Sequence, residues 1–205
     1  MAIILEPRWK SHIIQTNNPV LTPQQCQEVI QLGQNQPNLD AEVGIRKNVP
    51  ADTHQKGYKK TGLDKKKRVT TISWIPFDIG KPMYETVERW MLTLNANHFG
   101  FDGMQIGEQA QYTEYPKGGF YEWHSDCDFD MSSMPSVRKI SMTLLLSDPK
   151  DFKGGELELI EDKKRAKLQQ GYAIFFASFI RHRVKPVTKG VRKSLVMWFG
   201  GPSFK

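Results

Sequence analysis

A histidine and an aspartate stand two residues apart, His124 and Asp126, at the end of the run Tyr115-Pro-Lys-Gly-Gly-Phe-Tyr-Glu-Trp-His-Ser-Asp126. On a β-strand successive side chains alternate, so residues i and i+2 share a face and can hold one ion between them. A second histidine, His182, opens a strand-like run much later, and Arg192 follows it by ten positions. Two imidazoles and one carboxylate on one side of a metal leave several coordination positions open, the ligand set expected of an oxygen-activating, non-haem iron(II) centre. The open positions matter to that chemistry. An α-keto acid takes two of them, through its keto oxygen and adjacent carboxylate, and dioxygen takes the third. The far carboxylate of 2-oxoglutarate then needs a fixed cation, and arginine suits it, being permanently charged and forked. Each feature is commonplace alone: H-x-D patterns are frequent, a single histidine usually makes a structural hydrogen bond, and an arginine beside Lys193 is usually a surface charge. Their order and strand context make the pattern informative.

These residues need rigid strands beneath them. From Gly107 onward short β-like runs follow one another, at 110–115, 121–124, 139–147, 156–160, 165–168, 172–176, 181–187 and 192–199. Turn residues punctuate them: Pro116, Gly118, Gly119, Asp148, Pro149, Gly154, Gly155, Gly171 and Gly190. Eight short strands at this spacing predict a double-stranded jelly roll. Ahead of them, Thr22 followed by Pro23 signals a helix start, with Gln25 in capping-box position. Cys26, Val29, Ile30 and Leu32 keep helical spacing up to Gly33. Residues 68–75 (RVTTISWI) are β-branched and stop at Pro76, which predicts a strand, and 83–99 reads as an amphipathic helix through Val87, Trp90, Met91 and Leu94. Between them, residues 35–67 show no periodicity, and the stretch 45–67 is expected to be a mobile lid. The expected architecture is mainly β with supporting helices: a jelly-roll core over 107–205, with the helices of 1–106 packed on it, in a single catalytic domain of residues 1–205.

With 205 residues, 39% hydrophobic and 25% charged, the chain has the composition of an ordinary globular protein that folds without disulfides. Cys26 and Cys127 lie far apart and form no C-x-x-C pair, which argues against a cysteine zinc site. The opening MAIILEPRWK lacks the pattern of a secretory signal, and no stretch is long and apolar enough for a bilayer, so a cytoplasmic location is expected. The net charge of +7 invites a nucleic-acid partner. It is concentrated in two clusters, however: Lys59, Lys60, Lys65, Lys66, Lys67 and Arg68, read as a solvated loop, and Lys163, Lys164, Arg165 and Lys167, read as a hairpin tip.

From about Gln111 to the end, the chain resembles the prolyl 4-hydroxylase-like, iron(II)- and 2-oxoglutarate-dependent dioxygenases, and most closely their PKHD-type branch. The residues that carry the resemblance are Tyr115-x-x-Gly118-x-x-Tyr121-x-x-His124-x-Asp126, the strand and turn from Arg138 to Pro149, the turn Phe152-Lys-Gly154-Gly155-Glu156-Leu157, and His182-Arg-Val-Lys-Pro186-Val187-Thr188-Lys-Gly190-Val-Arg192. The resemblance implies that His124, Asp126 and His182 hold iron(II), that Arg192 binds the distal carboxylate of 2-oxoglutarate with Tyr115 lining the same pocket, and that Tyr121 and Trp123 lie near the mouth. Gly154 and Gly155 are expected to form a turn rather than contacts, and Cys127 is given no role. One departure stands out: Leu144, Leu145 and Leu146 occupy a strand where some relatives place polar co-substrate ligands.

The activity so implied is hydroxylation of a C–H bond, with dioxygen consumed, succinate and carbon dioxide released, and ascorbate able to rescue oxidised iron. A peptide or protein substrate carrying proline is expected, and a basic lid would favour an acidic peptide. Two rivals remain at this point. One is an oxidative demethylase of nucleic acids, favoured by the charge but lacking, after Arg192, the arginine and asparagine pattern of such enzymes. The other is a binding module with an accidental metal site, since jelly rolls also serve as lectins and capsid proteins.

Overall fold

The computed structural model describes residues 11–40, 67–127, 137–160 and 162–202. The chain opens with strand β1 (Ile13–Gln15), helix α1 (Pro23–Gln34), β2 (Leu39–Asp40), β3 (Arg68–Val69) and β4 (Thr71–Ile75). Helix α2 (Lys81–Leu94) runs into a π-helical turn over Asn95–Phe99, and β5 (Gln105–Ile106) follows. Then come β6 (Ala110–Tyr115), β7 (Phe120–His124), β8 (Val137–Leu145), β9 (Phe152–Gly154), β10 (Leu157–Leu159), β11 (Asp162–Ala166), β12 (Ala173–Ala177), β13 (His182–Val184), β14 (Val187–Gly190) and β15 (Arg192–Gly201).

All pairings are antiparallel. The larger sheet runs β1-β12-β8-β15-β6-β4-β2, with β5 also on β15, and the smaller runs β11-β10-β13-β7-β3. A short third sheet joins β14 to β9. The fold is a jelly roll whose larger sheet is covered on both faces, which is why its central strands are so apolar. On one face Ile140, Met142, Leu144, Phe175, Leu195, Met197 and Phe199 meet Cys26, Val29 and Ile30 of α1 and Met83, Val87 and Met91 of α2. On the other, Tyr115, Ile174 and Phe176 meet Leu157, Leu159 and Val184 of the smaller sheet.

The helices are seated by specific chemistry. Thr22 caps α1, accepting a hydrogen bond from the Gln25 amide while the Gln25 side chain accepts one from the Thr22 amide. At Gly33 the helix lies directly on β6: a Cβ there would stand 2.3 Å from the nearest Tyr112 ring carbon, so only glycine allows this approach. The Tyr84 hydroxyl of α2 donates to the Ile75 carbonyl and accepts from the Ala110 amide, 2.6 Å in each case, tying the helix to β4 and β6.

Several expectations shift. The helix expected over 83–99 is α-helical only to Leu94; the chain then widens into the π turn, closed by Gly100 with φ of 69°. The run 181–187 is two strands in different sheets, because Pro186 has no N–H with which to continue the ladder. The strand expected at 165–168 lies over Asp162–Ala166, so Lys163, Lys164 and Arg165 sit along the second arm of a hairpin rather than at its tip. Strands β1, β2, β5 and β9 are too short to show a period. Most of the expected lid, with Lys59, Lys60, Lys65 and Lys66, lies outside the described residues. Arg68, read as part of that solvated cluster, is buried inside the jelly roll, only 8% exposed.

Replacing Tyr84 by phenylalanine leaves the buried Ile75 carbonyl and Ala110 amide without their shared partner. The expected cost is about 1–3 kcal/mol, read as a melting temperature lower by roughly 2–4 °C for each kcal/mol. An unchanged melting temperature would show that the hydroxyl does not brace the sheet.

Candidate metal centre

His124 ends β7 and His182 begins β13, and the two are direct partners across the antiparallel ladder. Asp126 lies just beyond β7, where its amide and that of Cys127 both donate to the Ser178 carbonyl, at 2.9 and 3.0 Å. The carboxylate is braced from the larger sheet: the Ser141 hydroxyl of β8 donates to Asp126 Oδ2 at 2.7 Å and lies 2.9 Å from the Ser178 hydroxyl. Each imidazole is oriented by a backbone carbonyl, His124 Nδ1 at 2.7 Å from Glu122 O and His182 Nδ1 at 3.0 Å from Ile180 O. A carbonyl only accepts, so each Nδ1 carries the proton and each Nε2 presents its lone pair.

Those lone pairs converge on the carboxylate. His124 Nε2 is 3.7 Å from Asp126 Oδ1, and His182 Nε2 is 3.5 Å from Oδ2. One donor atom from each residue falls within 4.8 Å of the others. Ligand atoms roughly 2.1 Å from a shared metal, at right angles, stand about 3 Å apart, so small side-chain movements would complete such a site. The rings are held in place: His124 stacks on Tyr121 with centroids 3.5 Å apart, and His182 meets the edge of Phe176 at 4.6 Å.

The electrostatics suit a ligand set. Burial, helped by His182 alongside, pushes His124 down to about 4, against the opposing pull of Asp126. Burial alone would raise the Asp126 carboxyl; His182, His124, Arg138 and the Ser141 hydrogen bond outweigh it and hold the group below its usual range. At neutral pH His124 is neutral and the carboxylate ionised, the states a divalent metal requires. Nitrogen and oxygen donors on one side, with no cysteine, fit iron(II).

Arg192 starts β15 directly opposite Tyr115 on β6, with its guanidinium carbon 5.4 Å from the tyrosine ring centroid. It is 2% exposed and donates from Nη1 to the Ser194 hydroxyl at 3.0 Å. Among the described residues no carboxylate forms an ion pair with it. A buried, unpaired guanidinium is costly, and a ligand carboxylate would relieve it. Gly155, at φ of 68°, packs on this side chain: a Cβ there would meet Arg192 Cδ at 2.8 Å. The glycine turn is therefore a contact as well as a turn.

The geometry thus joins His124, Asp126 and His182, with Tyr121 stacked beside them, and pairs Arg192 with Tyr115. Burial pushes the Tyr121 phenol up to about 12, so it remains neutral. Trp123 is placed differently. Its ring lies 4.8 Å from the guanidinium of Arg183, which is paired with Glu158, on the side of the smaller sheet facing away from the triad. Sequence reasoning missed Ser141, Ser178 and Arg68. Ser141 did leave a signal, a small polar residue in the apolar strand KISMTLLL; Arg68 was masked by the lysines preceding it.

Residues 110–200 match the 2OG-Fe(II) oxygenase superfamily. A PKHD-type hydroxylase of Aliarcobacter butzleri is 41% identical over 93 residues, 42% of this chain and 41% of that protein. A PKHD-type hydroxylase of Klebsiella pneumoniae is 29% identical over 129 residues, 59% of this chain and 57% of its own. The matched stretches of the first relatives thus span about two fifths of their length. Among solved structures, the viral collagen prolyl hydroxylase of Paramecium bursaria Chlorella virus-1 superposes with a TM-score of 0.69 at 19% identity, covering 94% of this chain and 97% of that one. A Pseudomonas putida prolyl-4-hydroxylase gives 0.62 at 19%, covering 94% of each; at that identity both speak for the fold. Over the jelly-roll segment that carries His124, Asp126, His182 and Arg192, this chain is similar to the 2OG-Fe(II) oxygenase superfamily.

Proposed function

We propose that the protein is an iron(II)- and 2-oxoglutarate-dependent dioxygenase that hydroxylates a C–H bond of a peptidyl proline. The observation that carries the oxygenase reading is the convergence of two carbonyl-oriented imidazoles and a hydroxyl-braced carboxylate. The buried Arg192, without a carboxylate partner among the described residues, supplies the second anchor such an enzyme needs. Support for proline comes from the solved structures of similar fold: the viral collagen prolyl hydroxylase, the Pseudomonas putida prolyl-4-hydroxylase, and a prolyl hydroxylase from Trichoplax adhaerens in complex with a peptide fragment. Against a polyanion groove, the more exposed cations around the site already have acidic neighbours: Arg138 is paired with Glu108, and Arg183 and Lys185 share Glu158.

In this reading His124, Asp126 and His182 hold the metal and Arg192 receives the distal carboxylate of 2-oxoglutarate, with Tyr115 beside it. Iron(II) with 2-oxoglutarate and dioxygen supplies the oxidation, converting the co-substrate to succinate and carbon dioxide as the C–H bond is hydroxylated. Ascorbate, as a reductant for oxidised iron, belongs to the same proposal. The chain's own contribution is to turn both Nε2 atoms toward the metal position through the carbonyls on Nδ1, to fix the carboxylate through Ser141, and to exclude water with Phe176 and Tyr121. No helix among the described residues is long and apolar enough to cross a membrane.

Iron(II) and 2-oxoglutarate added anaerobically to the metal-stripped protein should give the weak visible charge-transfer band of the chelate. The band should vanish in His182→Ala, and in Arg192→Ala it should need about tenfold or more 2-oxoglutarate to form, the worth of a charge-assisted pair. A wild-type protein that is folded yet shows no band would refute the proposal.

The displaced His124 predicts a pH dependence for the metal-stripped protein. As pH falls below the ordinary histidine value of 6.5, the unfolded chain takes up a proton at this position that the folded chain refuses until about 4. Stability should therefore fall across that window, by up to about 1.4 kcal/mol per pH unit, and His124→Gln should flatten the slope of melting temperature against pH. Parallel slopes in the two proteins would contradict the shift.

A further inference from the structure

We infer that the primary substrate bears a carboxylate, and that Arg68 is the residue that receives it. The inference rests on the oxygenase reading above and specifies which substrates that site accepts. Arg68 opens β3 and is the direct partner of Tyr121 on β7, which places it one strand from His124. Its guanidinium carbon lies 4.5 Å from the centroid of the Tyr121 ring, the same ring on which His124 stacks. Nη2 donates to Gln111 Oε1 at 3.0 Å, while Nε is buried with no partner among the described residues.

A second buried donor in the same region has no acceptor among the described residues, the indole N–H of Trp198. Trp198 is two residues along β15 from Val196, the partner of Gln111, and its ring packs near Trp74 and beneath Arg138. Both residues are 8% exposed. Buried N–H groups without partners are rare in proteins. Two of them grouped around Gln111, beside the triad, describe a site furnished with donors and awaiting an acceptor.

A charge count then selects the acceptor. Arg138 is neutralised by its two-pronged pair with Glu108. The two positive charges of bound iron(II) would be met by Asp126 and by the chelating carboxylate of 2-oxoglutarate, and Arg192 by its distal carboxylate. Arg68 is a buried cation without a counter-charge: among the described residues no carboxylate pairs with it. A neutral acceptor such as a peptide carbonyl would satisfy Nε–H but leave the charge buried and unmatched, which is costly. A carboxylate satisfies both, and can come from an acidic residue near the reacting proline or from the main-chain carboxylate of a free amino acid.

The test uses the full chain loaded with zinc(II) and 2-oxoglutarate, which binds substrate without turnover, and reads dissociation constants by calorimetry. The probes are a proline-centred peptide flanked by glutamates, the same peptide flanked by glutamines, L-proline and L-prolinamide. At least one acid should bind about tenfold or more tightly than its neutral counterpart. Preference within the peptide pair identifies an acidic side chain, and preference within the proline pair a free carboxylate. Arg68→Gln should abolish the preference and Arg68→Lys should restore part of it, with 2-oxoglutarate affinity unchanged in both. Equal binding or no binding within both pairs overturns the inference, as does a preference that survives Arg68→Gln. Loss of 2-oxoglutarate affinity in Arg68→Gln would instead assign the arginine to the co-substrate. Absence of the iron chelate band in wild type would remove the oxygenase reading itself, and this inference with it.

Discussion

The register of β7 against β13 is the constraint on which the rest of the site depends. Because His124 stands opposite His182, two imidazoles from segments far apart in sequence arrive side by side on one face of the smaller sheet. A slip of one residue would turn His124 outward, since side-chain direction alternates along a strand. The pairing is pinned from outside the ladder as well. The chain after β7 is tied by the Asp126 and Cys127 amides to the Ser178 carbonyl, and Ser178 immediately follows β12 in the other sheet. The two sheets are thereby fastened to each other at the point where His124, Asp126 and His182 meet.

Between those sheets the protein tolerates an interior that would be unfavourable in an ordinary core. The face of the larger sheet under the helices is apolar, with Met142, Leu144, Leu195 and Met197 closely packed. The face toward the smaller sheet carries Gln111, Thr113, Ser141, Thr143, Arg192 and Ser194, all buried. One sheet therefore has two characters, and the alternation along each strand separates them: Ser141 and Thr143 face the site while Ile140 and Met142 face the helices. The apolar face supplies the stability against which the charged interior is held.

Much of this was legible in the sequence, for identifiable reasons. The convergence of His124, Asp126 and His182 could be anticipated because strand periodicity converts spacing into facing. The central strands were found from β-branched and aromatic runs bounded by glycine and proline. What escaped depended on partners distant in the chain. Ile13–Gln15 is a strand only because Phe176, Phe175 and Ile174 lie alongside it. Trp123 sits next to His124 in sequence, yet the pleat sends it to the other side. Arg68 looked like the end of a solvated lysine run until its pairing with Tyr121 drew it inside. The divide at Pro186 was visible as a residue, but its effect, the transfer of the chain to a third sheet, was not.

Strand β15 has a consequence for how the molecule is made. It follows every other described strand in sequence, yet it occupies the middle of the larger sheet, between β8 and β6. During synthesis those two neighbours must wait with their facing edges unpaired, exposing backbone donors and acceptors of the kind that recruit other strands. Assembly by successive addition from the N-terminal side is therefore closed to this chain; the sheet can be completed only when a segment remote from most of its partners inserts between them. Such non-local closure is slow and vulnerable to aggregation. Yield from a ribosome, and dependence on chaperones, should hinge on the stretch from Arg192 to Gly201 more than on either helix.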